Sequence, residues 1–145
     1  MSVYGNTESV ARALALALFE RGITCVIYDV GVTEPSYILS DMFRFSHLVF
    51  ASVTYNGSLP ASMESLISEL ASHGLSDRRI ALIENGSWAP VAARKMRALL
   101  SRMPDISYVC DDLSFYSALP PEQYSKIQGL ADTIASDIKN YENYI

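Results

Sequence analysis

The sequence predicts one α/β domain in which a doubly wound parallel sheet lies between two layers of helices. Its 145 residues suit a single hydrophobic core. Half of them are hydrophobic and 19% are charged, which excludes a disordered chain. Short apolar segments typical of strands covered on both faces alternate with amphipathic segments typical of helices. The expected order is α-β-α-β-α-β-α-β-α.

The individual elements follow from local signals along the chain. Asn6 or Thr7 can cap a first helix, and Gly22 can end it. The apolar face of that helix consists of Val10, Ala13, Leu14, Ala17 and Leu18. Strands are predicted at residues 24–30, 47–52, 79–84 and 106–112. Further helices are predicted at residues 35–45, from Pro60 to Gly74, from Pro90 onward, and from about residue 121 to about residue 141.

Charge and composition exclude several classes of function. Lys and Arg number 11 against 16 Asp and Glu, a formal net charge of -5, so a nucleic-acid partner is not expected. The sequence shows neither an apolar run long enough to span a membrane nor a signal-peptide pattern. Cys25 and Cys110 lie far apart without metal-ligand spacing. We expect two buried thiols and a cytoplasmic protein.

The stretch "SVYGNT" has the chemistry of a phosphate-binding loop. Ligands of open parallel sheets bind at the carboxyl ends of the strands, where this loop would lie. Ser2, Asn6 and Thr7 offer hydroxyl and amide donors, and Gly5 permits close backbone approach. A helix N-terminus follows at once, which favours an anion. The same residue types also suit a simple helix cap, and the spacing is neither that of a Walker loop nor GxGxxG.

Two further loops, "SVTYNGS" and "NGSWAP", are expected at the same edge of the sheet. Each contains glycine and an aromatic residue, Tyr55 in one and Trp88 in the other. A single aromatic residue in a loop more often packs over the protein's own surface than stacks on a ligand. Two of them beside a phosphate cradle predict a site for a phosphorylated, planar aromatic cofactor.

These three loops resemble those of the flavodoxin-like domain, specifically the one in flavodiiron proteins (A-type flavoproteins). The resemblance covers the chain from Ser2 onward, and "SVYGNT" matches the S/T-x-x-G-x-T pattern of flavodoxins. The loop around Trp88 is similar to the "GSYGWSG" type and departs from it at Ala89 and Pro90. The resemblance implies a flavodoxin-like three-layer fold and FMN as cofactor.

The resemblance also implies which residues surround FMN. The Asn56–Gly57 peptide is the candidate for redox control, because glycine lets a peptide turn its carbonyl toward reduced flavin N5. The implied residues are Ser2, Tyr4, Gly5, Asn6 and Thr7 at the phosphate, Ser52, Thr54, Tyr55, Asn56 and Gly57 beside the ring, and Asn85, Gly86, Ser87 and Trp88 on its far side.

In flavodiiron proteins such a domain relays electrons to a di-iron centre that reduces oxygen or nitric oxide. The resemblance therefore implies a metallo-β-lactamase-like di-iron domain in a parent protein, and a donor such as a rubredoxin or its reductase. His47 and His73 are the chain's only histidines and form no HxHxD-type cluster. We expect them to be structural or solvent-facing, with no metal site and no reductase activity in this chain alone.

The loop "SVYGNT" should follow a strand, yet only Met1 precedes it. Flavodoxin-like sheets have the strand order 2-1-3-4-5, so the first strand is central. The sequence thus predicts a sheet lacking its first strand, in a domain (residues 1–145) cut from the C-terminal part of a longer flavoprotein. Loss of a central strand leaves unpaired edges. We expect a rearranged sheet or a homodimer, and weakened FMN binding.

Two alternatives stay open at this point. One is an NAD(P)H-dependent FMN reductase of similar fold, which needs space over the flavin that a stacked Trp88 would obstruct. The other is a non-catalytic interaction domain of the receiver type. A receiver needs an acidic pocket, whereas the loops "SVTYNGS" and "NGSWAP" carry Ser, Asn and Gly. Asp111 and Asp112 are expected to be solvated turn residues.

Overall fold

The structure is a computed structural model that describes residues 6–85, 90–115 and 123–142. Helices and strands alternate along the middle of these residues, but two helices come first in succession and two strands stand together before the last helix, which departs from the expected strict alternation. The helices are α1 (Asn6–Glu20), α2 (Pro35–Arg44), α3 (Ala61–Ser72), α4 (Ala92–Leu100) and α5 (Tyr124–Glu142). The strands are β1 (His47–Val53), β2 (Arg78–Asn85), β3 (Ile106–Tyr108) and β4 (Leu113–Phe115).

All strand pairs in the described residues are parallel, as predicted. β2 pairs with β1 along one edge, from His47 opposite Arg79 to Val53 opposite Asn85. Its other edge pairs first with β3 and then with β4. The carboxyl ends of β1, β2 and β4 therefore lie at one edge of the sheet, which we call the carboxyl edge.

The two faces of the sheet carry separate apolar clusters, because successive side chains of a strand point to opposite faces. Leu48 and Phe50 of β1 and Ile80 and Leu82 of β2 pack in the cluster that includes residues of α2, α3 and α4. Ala81 and Ile83 pack in the other cluster, with α1, α5 and β4. The result is the predicted three-layer arrangement, with α1 and α5 on one side of the sheet.

The predicted strand at residues 24–30 is wrong as a paired strand. Residues 24–29 have no assigned strand structure, and residues 24–28 make no backbone–backbone hydrogen bond within the described part of the chain. The segment is still held in place. Tyr28 and Val30 pack on the cluster that contains Leu48, and the Tyr28 hydroxyl donates a hydrogen bond to Asp41 of α2. A strand needs a hydrogen-bonded neighbour, and no described strand lies beside this segment.

The predicted fourth strand is divided in two by residues 109–112. Val109 N–H still donates to Ile80 O at 2.9 Å, and pairing with β2 resumes at Leu113. Asp112 forms an ion pair with Arg97, whose guanidinium lies 3.7 Å from the centre of the Tyr108 ring. Asp111 is exposed, as expected of a solvated turn residue, whereas Asp112 is partly buried and paired with this cation.

The expectation that both cysteines are buried is also wrong. Cys110 is half-buried, and Cys25, on the unpaired segment 24–30, is exposed. No described strand lies beside the segment that carries Cys25, and its thiol is exposed.

Candidate functional site

The first turn of α1 contains an unpartnered hydroxyl. Thr7 is 2% exposed, and its Oγ1 has no hydrogen-bond partner in the described structure. The first four N–H groups of a helix also lack partners within the helix, and the helix dipole makes this end partly positive. A buried hydroxyl without a partner carries a free-energy cost that a bound acceptor would remove. This turn therefore has the chemistry of an anion site.

The acidic residue in the first turn of α1 is exposed and paired with a cation. Glu8 is exposed and forms an ion pair with Arg12, with Nη2 and Oε1 2.7 Å apart. The pair is spaced i,i+4 along α1, the separation at which helical side chains meet. A bound anion would thus face the helix end and the Thr7 hydroxyl, with the Glu8 charge offset by Arg12.

The N-terminus of α4 is closed by the protein's own side chains, in contrast to that of α1. Thr54 Oγ1 accepts hydrogen bonds from the N–H groups of Val91 and Ala92, at 2.8 and 3.1 Å. Glu84 Oε2 accepts from the N–H of Ala93 at 2.8 Å. These contacts use the donors that would otherwise attract an anion. Thr54, predicted to lie beside a ring, thus holds α4 against the end of β1.

Glu84 is a buried carboxylate whose role the sequence did not reveal. Its second oxygen, Oε1, accepts a hydrogen bond from Ser114 Oγ at 2.8 Å, so both oxygens are satisfied. The sequence does contain a signal for this role. Glu84 is an acidic residue at the end of a strand that precedes a helix, and acidic side chains often accept hydrogen bonds from the first N–H groups of a helix.

The loop after β1 forms a tight two-residue turn. Tyr55 N–H donates to Ser58 O at 2.8 Å, and Ser58 N–H donates to Tyr55 O at 2.9 Å. The two central residues, Asn56 and Gly57, have φ of 49° and 71°. Positive φ at both positions is the pattern of a type I′ turn, for which Asn-Gly is the preferred sequence. The Tyr55 side chain is exposed on this turn at the carboxyl edge.

Two other predicted residues of the site are buried in the strand ends. Ser52 is fully buried, and its Oγ donates to Val53 O at 3.1 Å. Asn85 is buried opposite Val53, and its carbonyl oxygen accepts the Thr54 N–H at 3.0 Å. The structure thus brings the end of β1, the end of β2 and the Tyr55 turn together at one edge.

The remaining predicted site residues lie outside what the structure describes. These are Ser2, Tyr4 and Gly5 before α1, and Gly86, Ser87 and Trp88 after β2. Asn6 is the first residue of α1, and its side chain is not among those described.

The two histidines are not at this edge. His47 begins β1, and its Nε2 lies 2.7 Å from Asp137 Oδ2, while Nδ1 lies 2.8 Å from Ser46 Oγ. Arg79 donates to both oxygens of Asp137, at 2.9 and 2.6 Å, and these hydrogen bonds hold the pKa of that carboxyl below its usual value. His73 is the exposed residue that ends α3. This is consistent with the structural and solvent-facing roles expected for them.

The described residues contain neither a cluster of metal-ligating side chains nor a helix suited to spanning a membrane. No three His, Cys, Asp or Glu side chains in this part of the chain are grouped so that they could hold a metal ion. Among the same residues, no helix is both long and apolar enough to cross a bilayer.

Comparison with solved structures identifies the fold. The flavodiiron core of Flv1 from Synechocystis sp. PCC6803 matches with a TM-score of 0.88 and 15% identity, over 97% of this chain and 34% of that one. Rubredoxin oxygen:oxidoreductase from Desulfovibrio gigas matches with a TM-score of 0.88 and 17% identity, over 95% of this chain and 34% of that one. A flavodoxin from the domain Archaea matches with a TM-score of 0.84 and 16% identity, over 96% of this chain and 94% of that one. No protein-family model and no curated protein sequence matches the chain.

The chain therefore has a flavodoxin-like fold, as the resemblance implied. It spans about a third of the flavodiiron chains that it matches and most of the length of the archaeal flavodoxin. At these identities the comparisons establish the fold.

Proposed function

We propose that this chain is an FMN-binding electron-transfer domain. The observation that carries the proposal is the buried, unpartnered Thr7 hydroxyl in the first turn of α1. A phosphate accepts hydrogen bonds from hydroxyl and backbone N–H groups and is favoured by a helix N-terminus. The chain's net charge of -5 does not oppose this, because the attraction is local.

The residues present fit a flavin at this edge. The exposed Tyr55 ring offers an aromatic face beside the β1 end, and the Asn56–Gly57 peptide lies at the tip of the same turn. FMN, when bound, supplies one- and two-electron redox chemistry. The described residues Thr7, Tyr55, Asn56 and Gly57 would bind and orient it, and Ser52, Thr54 and Asn85 would support them through the contacts above. The resemblance adds Ser2, Tyr4, Gly5, Asn6, Gly86, Ser87 and Trp88.

The proposal extends to a parent protein. The domain would relay electrons from a donor such as a rubredoxin or its reductase to a di-iron centre in a metallo-β-lactamase-like domain. Its support is the match to one third of two flavodiiron chains. In this view residues 1–145 are the C-terminal part of a longer cytoplasmic flavoprotein, and the chain alone is no reductase of oxygen or nitric oxide.

A titration of the purified chain with FMN and with riboflavin tests the cofactor assignment. The quenching of flavin fluorescence reports binding. We expect FMN to bind more tightly than riboflavin, because the two differ in the phosphate that would contact α1. Equal affinities for FMN and riboflavin would show that the protein does not bind the phosphate group. A folded chain that does not bind FMN at all would contradict the proposal.

A further inference from the structure

Helix α4 and the residues around it carry only positive charge. Residues 85–104 contain no Asp or Glu. Their four cations are Arg94, Lys95, Arg97 and Arg102. The whole chain has 11 Lys and Arg against 16 Asp and Glu, so this segment is opposite in sign to the protein that carries it. A local positive charge attracts a negatively charged partner over about 10 Å at ordinary ionic strength.

Three of these cations are not used by the fold. Arg97 forms an ion pair with Asp112. Arg94, Lys95 and Arg102 form no ion pair with any residue that the structure describes. Arg94 and Arg102 are exposed, and Lys95 is half-buried. We call these three residues the α4 basic face, and their charges are available to a partner.

The α4 basic face lies on the side of the helix that points away from the sheet. The buried residues of α4 are Ala92, Ala93, Met96 and Leu100. Arg94 and Arg102 are eight residues apart, which places them on the outer side about 12 Å apart along the helix axis. Ala98 and Ser101, which lie between them, are exposed and small. A partner surface can therefore approach the helix closely between the two guanidinium groups.

These cations do not stabilise their own helix. The first turn of α4 contains Arg94 and Lys95 but no acidic residue. A helix N-terminus is partly positive, so cations in its first turn weaken the helix. Arg94 and Arg97, three residues apart, also repel each other. The charges of the α4 basic face thus lower stability within the helix, and their favourable partner lies outside it.

Helix α4 begins at the carboxyl edge. The N–H groups of Val91 and Ala92 donate to Thr54 Oγ1, which follows the end of β1. The N–H of Ala93 donates to Glu84 near the end of β2. A protein bound to the first turns of α4 would therefore lie beside the edge at which the flavin is proposed to bind.

The size and composition of the α4 basic face favour an acidic protein as the partner. Three unpaired cations over about 12 Å match a small group of carboxylates. An extended polyanion such as a nucleic acid or an anionic membrane would also meet the remainder of a chain whose net charge is -5. The exposed residues between the two arginines, Ala98 and Ser101, offer no large apolar group for insertion into lipid. Transient electron-transfer complexes have small interfaces whose encounter is steered by charge.

We propose that the α4 basic face is the docking surface for an acidic electron-transfer protein, which delivers electrons at the carboxyl edge. Each transfer oxidises the carrier by one electron and reduces the bound flavin by one electron. That the partner is an electron carrier rests on the proposed function. The position and the sign of the docking surface rest on α4 alone.

A charge-reversal pair tests the docking surface. The probe is a rubredoxin with an acidic net charge, and its Kd is measured by calorimetry for wild type, Arg94→Glu and Lys126→Glu at low and at physiological ionic strength. Arg94 is the third residue of α4, and Lys126 is the exposed third residue of α5, across the sheet. Both variants change the net charge by the same amount.

We expect Arg94→Glu to raise the Kd for the probe about tenfold and Lys126→Glu to leave it within about twofold of wild type. The wild-type affinity should fall as salt is added. A glutamate in the first turn is favourable for a helix, so Arg94→Glu should be at least as stable as wild type in urea unfolding. Loss of folding would then not account for weaker binding.

Cross-linking locates the contact without a substitution. The chain has three lysines, Lys95, Lys126 and Lys139. A carbodiimide condenses a lysine amine with a carboxylate of the bound probe to form an amide, with loss of water. Mass spectrometry of the digested product should find the link at Lys95 and not at the two lysines of α5.

Titration with FMN separates this proposal from the proposed function. Arg94→Glu should bind FMN as wild type does. A chain that binds the probe through Lys95 but does not bind FMN would contradict the proposed function and support the docking surface.

Three results would overturn the docking surface. One is a wild-type chain that does not bind the probe. Another is an equal loss of affinity in Arg94→Glu and Lys126→Glu, or a link at Lys126 or Lys139. The third is tighter binding to phosphatidylserine vesicles or to a DNA duplex than to the probe, which would identify a general polyanion surface instead.

Discussion

Replacement of Thr7 by valine would remove the unpartnered hydroxyl and keep the shape of the side chain. Thr7 is almost fully buried, so a nearly isosteric change is needed to avoid a cavity or a clash. Threonine and valine also have similar helix propensities. The variant therefore isolates the contribution of one oxygen atom, Oγ1.

The two states of the chain should respond in opposite directions. A buried hydroxyl without a partner costs about 1–3 kcal/mol, so Thr7→Val should raise the free energy of unfolding of the ligand-free chain by about 1 kcal/mol. A hydrogen bond from a hydroxyl to a charged phosphate contributes about 2 kcal/mol. Its loss should raise the Kd for FMN about 30-fold and leave the Kd for riboflavin unchanged.

The assay is a pair of measurements on wild type, Thr7→Val and Thr7→Ser. Urea unfolding gives the stability of the ligand-free chain, and fluorescence titration gives the Kd for FMN and riboflavin. Thr7→Ser keeps the hydroxyl, so its affinity for FMN should stay near the wild-type value, with a modest loss of stability for the missing methyl group.

Two outcomes would refute the reasoning. A Thr7→Val chain that is less stable without ligand would show that the hydroxyl has a partner in the folded protein. Equal losses of affinity for FMN and riboflavin would show that Thr7 acts on the shape of the site and not on the phosphate.

Three further predictions concern the turn, the α4 terminus and the Asp137 cluster. Thr54→Val should lower the free energy of unfolding by about 1–2 kcal/mol, because two N–H groups at the start of α4 lose their acceptor. Thr54→Ser, which keeps the hydroxyl oxygen, is the control. Equal losses of stability in the two variants would contradict the capping role. Gly57→Ala should lower the free energy of unfolding by about 1 kcal/mol through its φ of 71° alone, since an added Cβ meets no atom within 4 Å. Gly57→Asn should lose less stability, because asparagine tolerates this φ. A larger loss for Gly57→Asn than for Gly57→Ala would argue against the turn geometry. The pKa of Asp137 is lowered from 3.8, chiefly by the Arg79 hydrogen bonds, so its ion pair stabilises the fold above that pH and the contribution is lost as pH falls through the lowered pKa. Asp137→Asn should make stability less dependent on pH below about 4 in acid-unfolding curves, and an unchanged curve would exclude this carboxyl as a contributor.

Much of the fold could be predicted because the signals are local. The apolar spacing of Val10, Leu14, Ala17 and Leu18 places one face of α1 on the sheet, and these residues are buried there. The apolar runs that became β1 and β2 were predicted to within two residues at either end. Asn56–Gly57 signals a tight turn by its residue types, and the structure has one.

The candidate site was predictable only in part. The carboxyl edge and Thr7 followed from the order of strands and helices and from a capping residue type. The role of Thr54 did not, because its partners Val91 and Ala92 lie 37 and 38 residues away in the sequence. The same holds for Glu84, which is paired with Ser114 across the sheet.

The sequence by itself determined the class of the fold, the alternation of its elements and which faces of α1 and β1 are apolar, because periodicity acts within one helix or strand. The tertiary structure alone decided whether an apolar run such as residues 24–30 has a strand beside it. Pairing depends on a neighbour from elsewhere in the chain, and no local pattern encodes its presence. The exposed Cys25 and the unpartnered Thr7 hydroxyl are therefore facts of packing.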